Sequence, residues 1–323
     1  MKRTFLHTVF CLLTLSAALS CSSDKVEEYT PAPAPTVNIF DGLEEFTANS
    51  ITLQKTRSNF EATEKWSDIK YNGDKKITGY TYSRNMTGRD TEGSYTENET
   101  RKCDIYYYIN EEKKNAINTS MEIEYQKRGL EIEETYTEEI SEDISLNDLG
   151  HITSIKSITK RYDNASANPL IKSSVWEFVY NGNFCTASTY TEGDLVIKYQ
   201  YMWEAYQLKK ITILKENKKD DIVEHTAYDY TFDTSELAEY SGIYTLPYVQ
   251  SGFPQIYASM GYLGQFTPYI LIEETQSKHT DYGSDSHHTE NKISYRYSED
   301  NNQKLKYEGI FENNGTYNLT FSK

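Results

Sequence analysis

The stretch Leu195-Val196-Ile197-Lys198-Tyr199-Gln200-Tyr201-Met202-Trp203 decides the fold. Leu195, Ile197, Tyr199, Tyr201 and Trp203 are all apolar or aromatic, and they alternate with the mixed set Val196, Lys198, Gln200 and Met202. A period of two puts the first set on one face of an extended strand and turns that face from water. The same alternation recurs in Trp176/Phe178/Tyr180, Tyr228/Tyr230/Phe232, Ile293/Tyr295/Tyr297 and Tyr317/Leu319/Phe321. Enrichment in Tyr, Thr and Ile suits strands rather than helices. Roughly 14 such segments follow from about Ser50 onward, joined locally and therefore antiparallel. The expectation is an all-β chain: a long antiparallel meander forming a strongly curved sheet or barrel-like domain over residues 46–323.

Turn signals support the meander. Asn72-Gly73 joins Ile69/Tyr71 to Ile77, and Asn181-Gly182 joins Trp176–Tyr180 to Phe184–Tyr190. Asn-Gly supplies the positive φ angles of tight hairpins. Glu192-Gly193-Asp194 and Asn313-Asn314-Gly315 are further hairpin candidates. Glu131 to Asp143 holds seven acids and no base. It reads as a solvated strand pair blunted against edge pairing, although Ile132, Tyr136 and Ile140 also fit helical spacing. Tyr240 to Pro268 breaks the rhythm, with four glycines and three prolines among seven aromatics. So much Gly and Pro excludes a central strand, while the aromatics require something to pack against. A plug over an open end of the sheet is the favoured reading.

Composition narrows the function classes. The chain has 323 residues, net charge −16 and 14% aromatic residues, 29 of them Tyr. That many aromatics bury enough surface to offset chain entropy, which argues against disorder. Excess acid repels phosphate and argues against a nucleic-acid partner. No run after the N-terminal segment approaches the ~20 apolar residues of a helical membrane span. An integral β-barrel needs an outward apolar band, and charges in Leu208-Lys209-Lys210-Ile211 and Glu131–Glu134 fall too often on that face.

The N-terminus carries an address. Met1-Lys2-Arg3, an apolar stretch from about Val9 to Leu19 and a small residue before Cys21 form a secretory signal over residues 1–20. Ala18-Leu19-Ser20-Cys21 resembles the bacterial lipobox, in which the Cys is lipidated and the peptide cut before it. Several acyl chains give the two or more signals that stable anchoring requires. The resemblance makes Cys21 the lipid anchor and its membrane partner. Ser22 at the next position, not Asp, implies the outer membrane, and Ser22-Ser23-Asp24 with Glu27-Glu28 resembles the acidic tag of surface-exposed lipoproteins of the Bacteroidota. Pro31-Ala32-Pro33-Ala34-Pro35 makes residues 21–45 an extended tether. Together with the tyrosine-rich strands, Tyr180-Asn181-Gly182-Asn183 and Leu246-Pro247, the chain is similar to Bacteroidota outer-membrane lipoproteins of unknown function. Those have a porin-like curved antiparallel sheet, and the resemblance implies no activity. Lys76-Ile77-Thr78 and Gly150–Ile155 also resemble tyrosine-aspartate repeat proteins, but the chain shows no fixed repeat period.

Chemistry-bearing patterns are few. After processing, Cys103 and Cys185 remain, either as one disulfide or as two buried thiols. His279, His287 and His288 stand near Asp281 and Asp285, a sparse donor set that reads as a polar loop rather than a metal site. No cofactor is expected. Gly-x-Ser-x-Gly, His-Glu-x-x-His and phosphate-cradling Gly loops are missing, and no catalytic residue stands out. Trp66, Trp176 and Trp203 are the candidate ligand anchors, since indole rings stack on sugars or flat partners. Each lies in an alternating strand, where core burial competes with that role. The expected function is a non-catalytic envelope lipoprotein, surface-exposed, binding a glycan or protein partner. The alternatives are a polysaccharide-acting hydrolase with carboxylates at the mouth of the sheet, or a structural lipoprotein.

Overall fold

In the computed structural model, sixteen strands run in chain order round a closed antiparallel barrel, each paired to its sequence neighbours, and the last strand pairs with the first. It describes residues 49–322 except 58, 74–75, 91–92, 111–114, 131–132, 164–167, 218–221, 238–261, 265–266, 268, 283–284, 300–303 and 312–314. The signal, Cys21 and the Pro-rich tether lie outside the described residues, as do Asn313-Asn314 and most of the Gly/Pro-rich insert.

The strands are β1 (Ser50–Arg57), β2 (Phe60–Tyr71), β3 (Ile77–Asp90), β4 (Gly93–Ile109), β5 (Asn115–Arg128), β6 (Glu133–Leu146), β7 (Ile152–Asp163) and β8 (Leu170–Asn181). They continue with β9 (Phe184–Glu192), β10 (Leu195–Glu204), β11 (Gln207–Asn217), β12 (Ile222–Leu237), β13 (Tyr269–Tyr282), β14 (Asp285–Glu299), β15 (Lys304–Phe311) and β16 (Gly315–Ser322). Sixteen strands exceed the number that apolar alternation marks, because several turn charges inward and break the pattern. The acidic stretch shows this: it is strand β6, not a helix and not an edge. Its even-numbered residues Glu134, Glu138 and Glu142 are half-buried, while Glu133, Glu139 and Asp143 are exposed. Closure leaves no edge to protect.

The turns differ from expectation in detail. Gly182 (φ 58°) and Asn183 form the two-residue loop after Asn181, since Asn181 pairs with Phe184. Gly193 (φ 56°) and Asp194 do the same between Glu192 and Leu195. Asn72-Gly73 makes no tight hairpin. Its loop spans residues 72–76, closed by Asn72 N donating to Lys76 O (2.9 Å) and Lys76 N donating to Asn72 Oδ1 (3.0 Å). The Asn side chain there does the turn's work, and an irregularity at Asp68 (φ 53°) shifts β2 against β3. Between β10 and β11, Ala205 (φ 45°) and Tyr206 (φ 66°) occupy a primed turn without glycine. That costs strain, and Tyr206 gains a ring contact with Phe184 at 5.8 Å.

Barrel closure gives every strand an inner and an outer face. The outer face of β4–β7 carries exposed Lys102, Asp104, Glu122, Glu124, Glu139, Asp143, Lys156 and Lys160. A lipid-facing band needs apolar residues at such positions, and here they are charged.

Candidate functional site

The inner face is divided along its length. Ser50 and Ser322, together with the end of β12 (Leu237) and the start of β13 (Tyr269), lie at one end of the barrel. On that side the inward positions are apolar: Leu53, Cys103, Ile105, Ile117, Ile144, Ile155, Trp203, Leu208, Ile211, Phe232 and Leu271 form one buried cluster. The described part of the insert belongs to it. Tyr262 and Leu263 are buried in the cluster, Tyr262 O accepts from Ile152 N (2.8 Å), and Thr267 Oγ1 accepts from Leu208 N (2.7 Å). Gly264 (φ 82°) bridges to Phe184, and a Cβ there would meet Asn183 O at 2.3 Å, so only glycine allows the approach. These residues pack over the apolar half as a plug.

Toward the opposite end the same inward positions turn charged and tyrosine-rich. Lys55 Nζ on β1 donates to Glu64 on β2 (3.1 Å), which also accepts from Tyr82 Oη (3.2 Å). Arg84 on β3 pairs with Glu97 and, at 3.6 Å, with Glu99 on β4, and Arg101 pairs with Glu99. Arg161 on β7 holds Glu134 (2.7 Å) and Asp163 (2.8 Å). Lys172 on β8 meets Glu192 on β9 (3.3 Å), and Glu224 on β12 lies between Lys215 (3.8 Å) and Lys278 (3.2 Å). Strand alternation puts all of these inside. They form a belt of ion pairs that spans most of the lumen wall.

Aromatic faces are interleaved with the belt. Tyr125 and Tyr136, opposite each other on β5 and β6, stack with centroids 4.5 Å apart. The Arg161 guanidinium lies 3.6 Å from the Tyr136 centroid, and that of Arg101 5.0 Å from Tyr82. Aromatic faces beside fixed charged donors and acceptors suit a polyhydroxylated ring, whose C–H face stacks while its hydroxyls hydrogen-bond. Most belt carboxylates are held in ion pairs as acceptors. Glu138 is the belt acid that burial raises above its usual range, against the pull of Arg161.

Deeper in the lumen Glu274 on β13 is almost fully buried beside Tyr228, Tyr230 and Ile293. Burial pushes its carboxyl up to about 8, opposed only by a hydrogen bond from Tyr295. Its Oε2 has no hydrogen-bond partner among the described residues. Burial therefore favours the neutral form of this carboxyl.

The three tryptophans all face inward. Trp66 is buried beside Tyr82 (centroids 5.0 Å). Trp203 is buried, with its indole N–H donating to Cys185 O (2.8 Å) and its ring 5.2 Å from Phe184. Trp176 is half-buried in a cage of Phe178, Tyr190 and Tyr199 at 5.9, 5.1 and 5.3 Å. Trp66 and Trp176 both adjoin the charged half, with Glu64 on the same face of β2 as Trp66 and Lys172 on the same face of β8 as Trp176. Cys103 and Cys185 are free buried thiols, not a disulfide, and burial pushes the Cys103 thiol up to about 12. Strand pairing places His279 opposite His225 and His288, but among the described residues no three His, Cys, Asp or Glu side chains gather to hold a metal ion. Sequence reading missed the ion-pair belt. Its one legible signal is period two within the charges themselves, as in Glu97-x-Glu99-x-Arg101 and Glu134-x-x-x-Glu138.

No known family profile matches the sequence, and no curated protein does. Two solved structures are similar in fold. One is a porin-like protein from Bacteroides vulgatus, 10% identical with a TM-score of 0.50, over 86% of this chain and 98% of that one. The other is a porin-like protein from Bacteroides uniformis, 14% identical with a TM-score of 0.41, over 87% of this chain and 98% of that one. At such identity the likeness extends to the barrel architecture alone.

Proposed function

We propose that the protein is a cell-envelope lipoprotein, held on the outer membrane through Cys21 and exposed at the cell surface, whose barrel binds a glycan without transforming it. The observation that carries this reading is the belt of inward ion pairs interleaved with stacked tyrosines. Desolvating so many charges is costly, and a hydrated polar ligand is the chemistry that makes use of them. The charged outer face of β4–β7 supports a lipid anchor over insertion of the barrel itself. Because most belt carboxylates are engaged as ion-pair acceptors, few remain to act as the protonated acid of a glycosidase pair.

The test is titration of the purified protein with a panel of neutral and charged oligosaccharides, read by tryptophan fluorescence and calorimetry. Binding without release of reducing ends is the expected result. Cleavage would convert the reading to a hydrolase, and no binding to any glycan would overturn it. Separately, Cys21→Ala should move the protein from the detergent phase to the aqueous phase in detergent partitioning. Unchanged partitioning would remove the anchor.

A further inference from the structure

A cleft of 470 Å³ opens at the charged end of the barrel, framed by the β1–β2 turn, the ends of β3 and β4, and the end of β5. Its volume is that of a small-ligand site. Arg57, Phe60, Glu61, Tyr95 and Arg128 are among its lining residues. Three features show that it is built. Gly88 pairs with Tyr95, and a Cβ on Gly88 would meet the Tyr95 ring at 2.5 Å, so the missing side chain is what lets the ring lie flat against β3. The Lys127 ammonium stands 4.7 Å from the centroid of that ring. Arg89 N donates to Asn59 O (2.9 Å), tying the β1–β2 turn to β3 and fixing the wall that carries Arg57 and Phe60.

Charge is the second observation. The chain has 49 acids against 33 bases, yet two arginines line this cleft against the single acid Glu61. Arg128 meets Glu133 at 3.6 Å with both side chains mostly exposed. Such a solvent-screened pair holds its partner weakly and yields to a better acceptor. The guanidinium fork accepts a carboxylate or sulfate through two parallel hydrogen bonds. The Phe60 ring offers apolar surface for the face of a sugar.

We propose that this cleft binds the anionic group of an acidic saccharide, a carboxylate or sulfate on a polyhydroxylated ring, and so sets which glycans the barrel takes. The inference rests on the glycan reading and deepens it. Long-range repulsion from the net charge of −16 is screened beyond about 8 Å at physiological salt, so short contacts at the cleft decide the outcome.

The test compares galacturonate oligomers, sulfated galactose oligomers and neutral galactose oligomers of one length, titrated by calorimetry into the whole protein and an Arg57→Gln/Arg128→Gln variant. Both positions are exposed, and circular dichroism verifies that the variant keeps its fold. At least one anionic series should bind tenfold or more tightly than the neutral one, should weaken at least tenfold in the variant, and should weaken as salt rises. Whichever anionic series binds identifies the group as carboxylate or sulfate. Equal binding of neutral and anionic oligomers, or anionic binding untouched by the variant, overturns the cleft while leaving the glycan reading intact. No binding by any series overturns both.

Discussion

Strand β4 carries both halves of the lumen on one face: Glu97, Glu99 and Arg101 toward one end, Cys103 and Ile105 toward the other, all inward. Strand β6 repeats the contrast, with Glu134 and Glu138 giving way to Ile144 and Leu146. Backbone pairing is continuous through the change. The difference therefore lies in what fills the space, not in the sheet. A sixteen-stranded barrel encloses far more volume than an eight-stranded one, whose side chains meet in the middle. Here one half is filled with aliphatic and aromatic side chains, Tyr262 and Leu263 among them, which stabilises the fold through burial. The other half holds charges, which add little to stability.

If that division is real, equal truncations on the two sides must have unequal effects. The largest is expected in the apolar half, where Trp203→Ala removes a buried ring and the indole hydrogen bond to Cys185. It should cost ~3–5 kcal/mol, read from the denaturant midpoint. An unchanged midpoint would mean that the ring faces a ligand rather than a core.

Next comes Glu274, whose carboxyl has a folded pKa raised to about 8. Below the unfolded carboxylate range it is protonated in both states and has no effect. As pH rises toward 8 only the unfolded state ionises, so native stability falls, and above 8 the loss levels off. At 1.36 kcal/mol per unit the loss reaches about 3 kcal/mol at pH 7. Glu274→Gln should therefore be more stable than wild type at pH 8 and close to it near pH 4.5. Parallel stability curves for the two proteins would break the argument.

In the charged half, Glu99→Gln leaves Arg101 and Arg84 without their shared partner. The expected cost is ~1–3 kcal/mol, and a double-mutant cycle with Arg101→Met should recover part of it. Additive losses would show that the belt is not coupled. The smallest effect belongs outside the barrel: Lys198→Met breaks the Lys198–Glu216 pair (2.8 Å) on the outer face and should change stability by less than ~1 kcal/mol.

How much of this was legible follows from the same contrast. Residues 195–203 show their strand and its buried face openly, because apolar and polar positions alternate. The antiparallel meander and the packing role of the insert were readable for the same reason. The charged half was not, since Glu134 and Glu138 point inward by register alone and look, in sequence, like any solvated acids. Closure was hidden too. Nothing in Ser50–Arg57 announces Gly315–Ser322 as its partner, because hairpin signals report only neighbours. The two Asn-Gly pairs diverge because Asn72 closes a longer loop with its side chain, whereas Gly182 takes the left-handed turn position itself.

The seam between β1 and β16, with Ser50 opposite Ser322 and Arg57 opposite Gly315, also governs how the molecule is made. Every other pairing joins strands consecutive in the chain and can zip as they emerge from the ribosome. This one joins the first strand synthesised to the last, at the high closure entropy of a contact so distant in sequence. Until β16 is made, β1 and the newest strand present unpaired backbone, each a template for another chain. A nascent barrel stalled short of β16 is thus an open sheet with two adhesive margins. Export in an unfolded form, with folding delayed until the whole chain has crossed, would spare it that exposure.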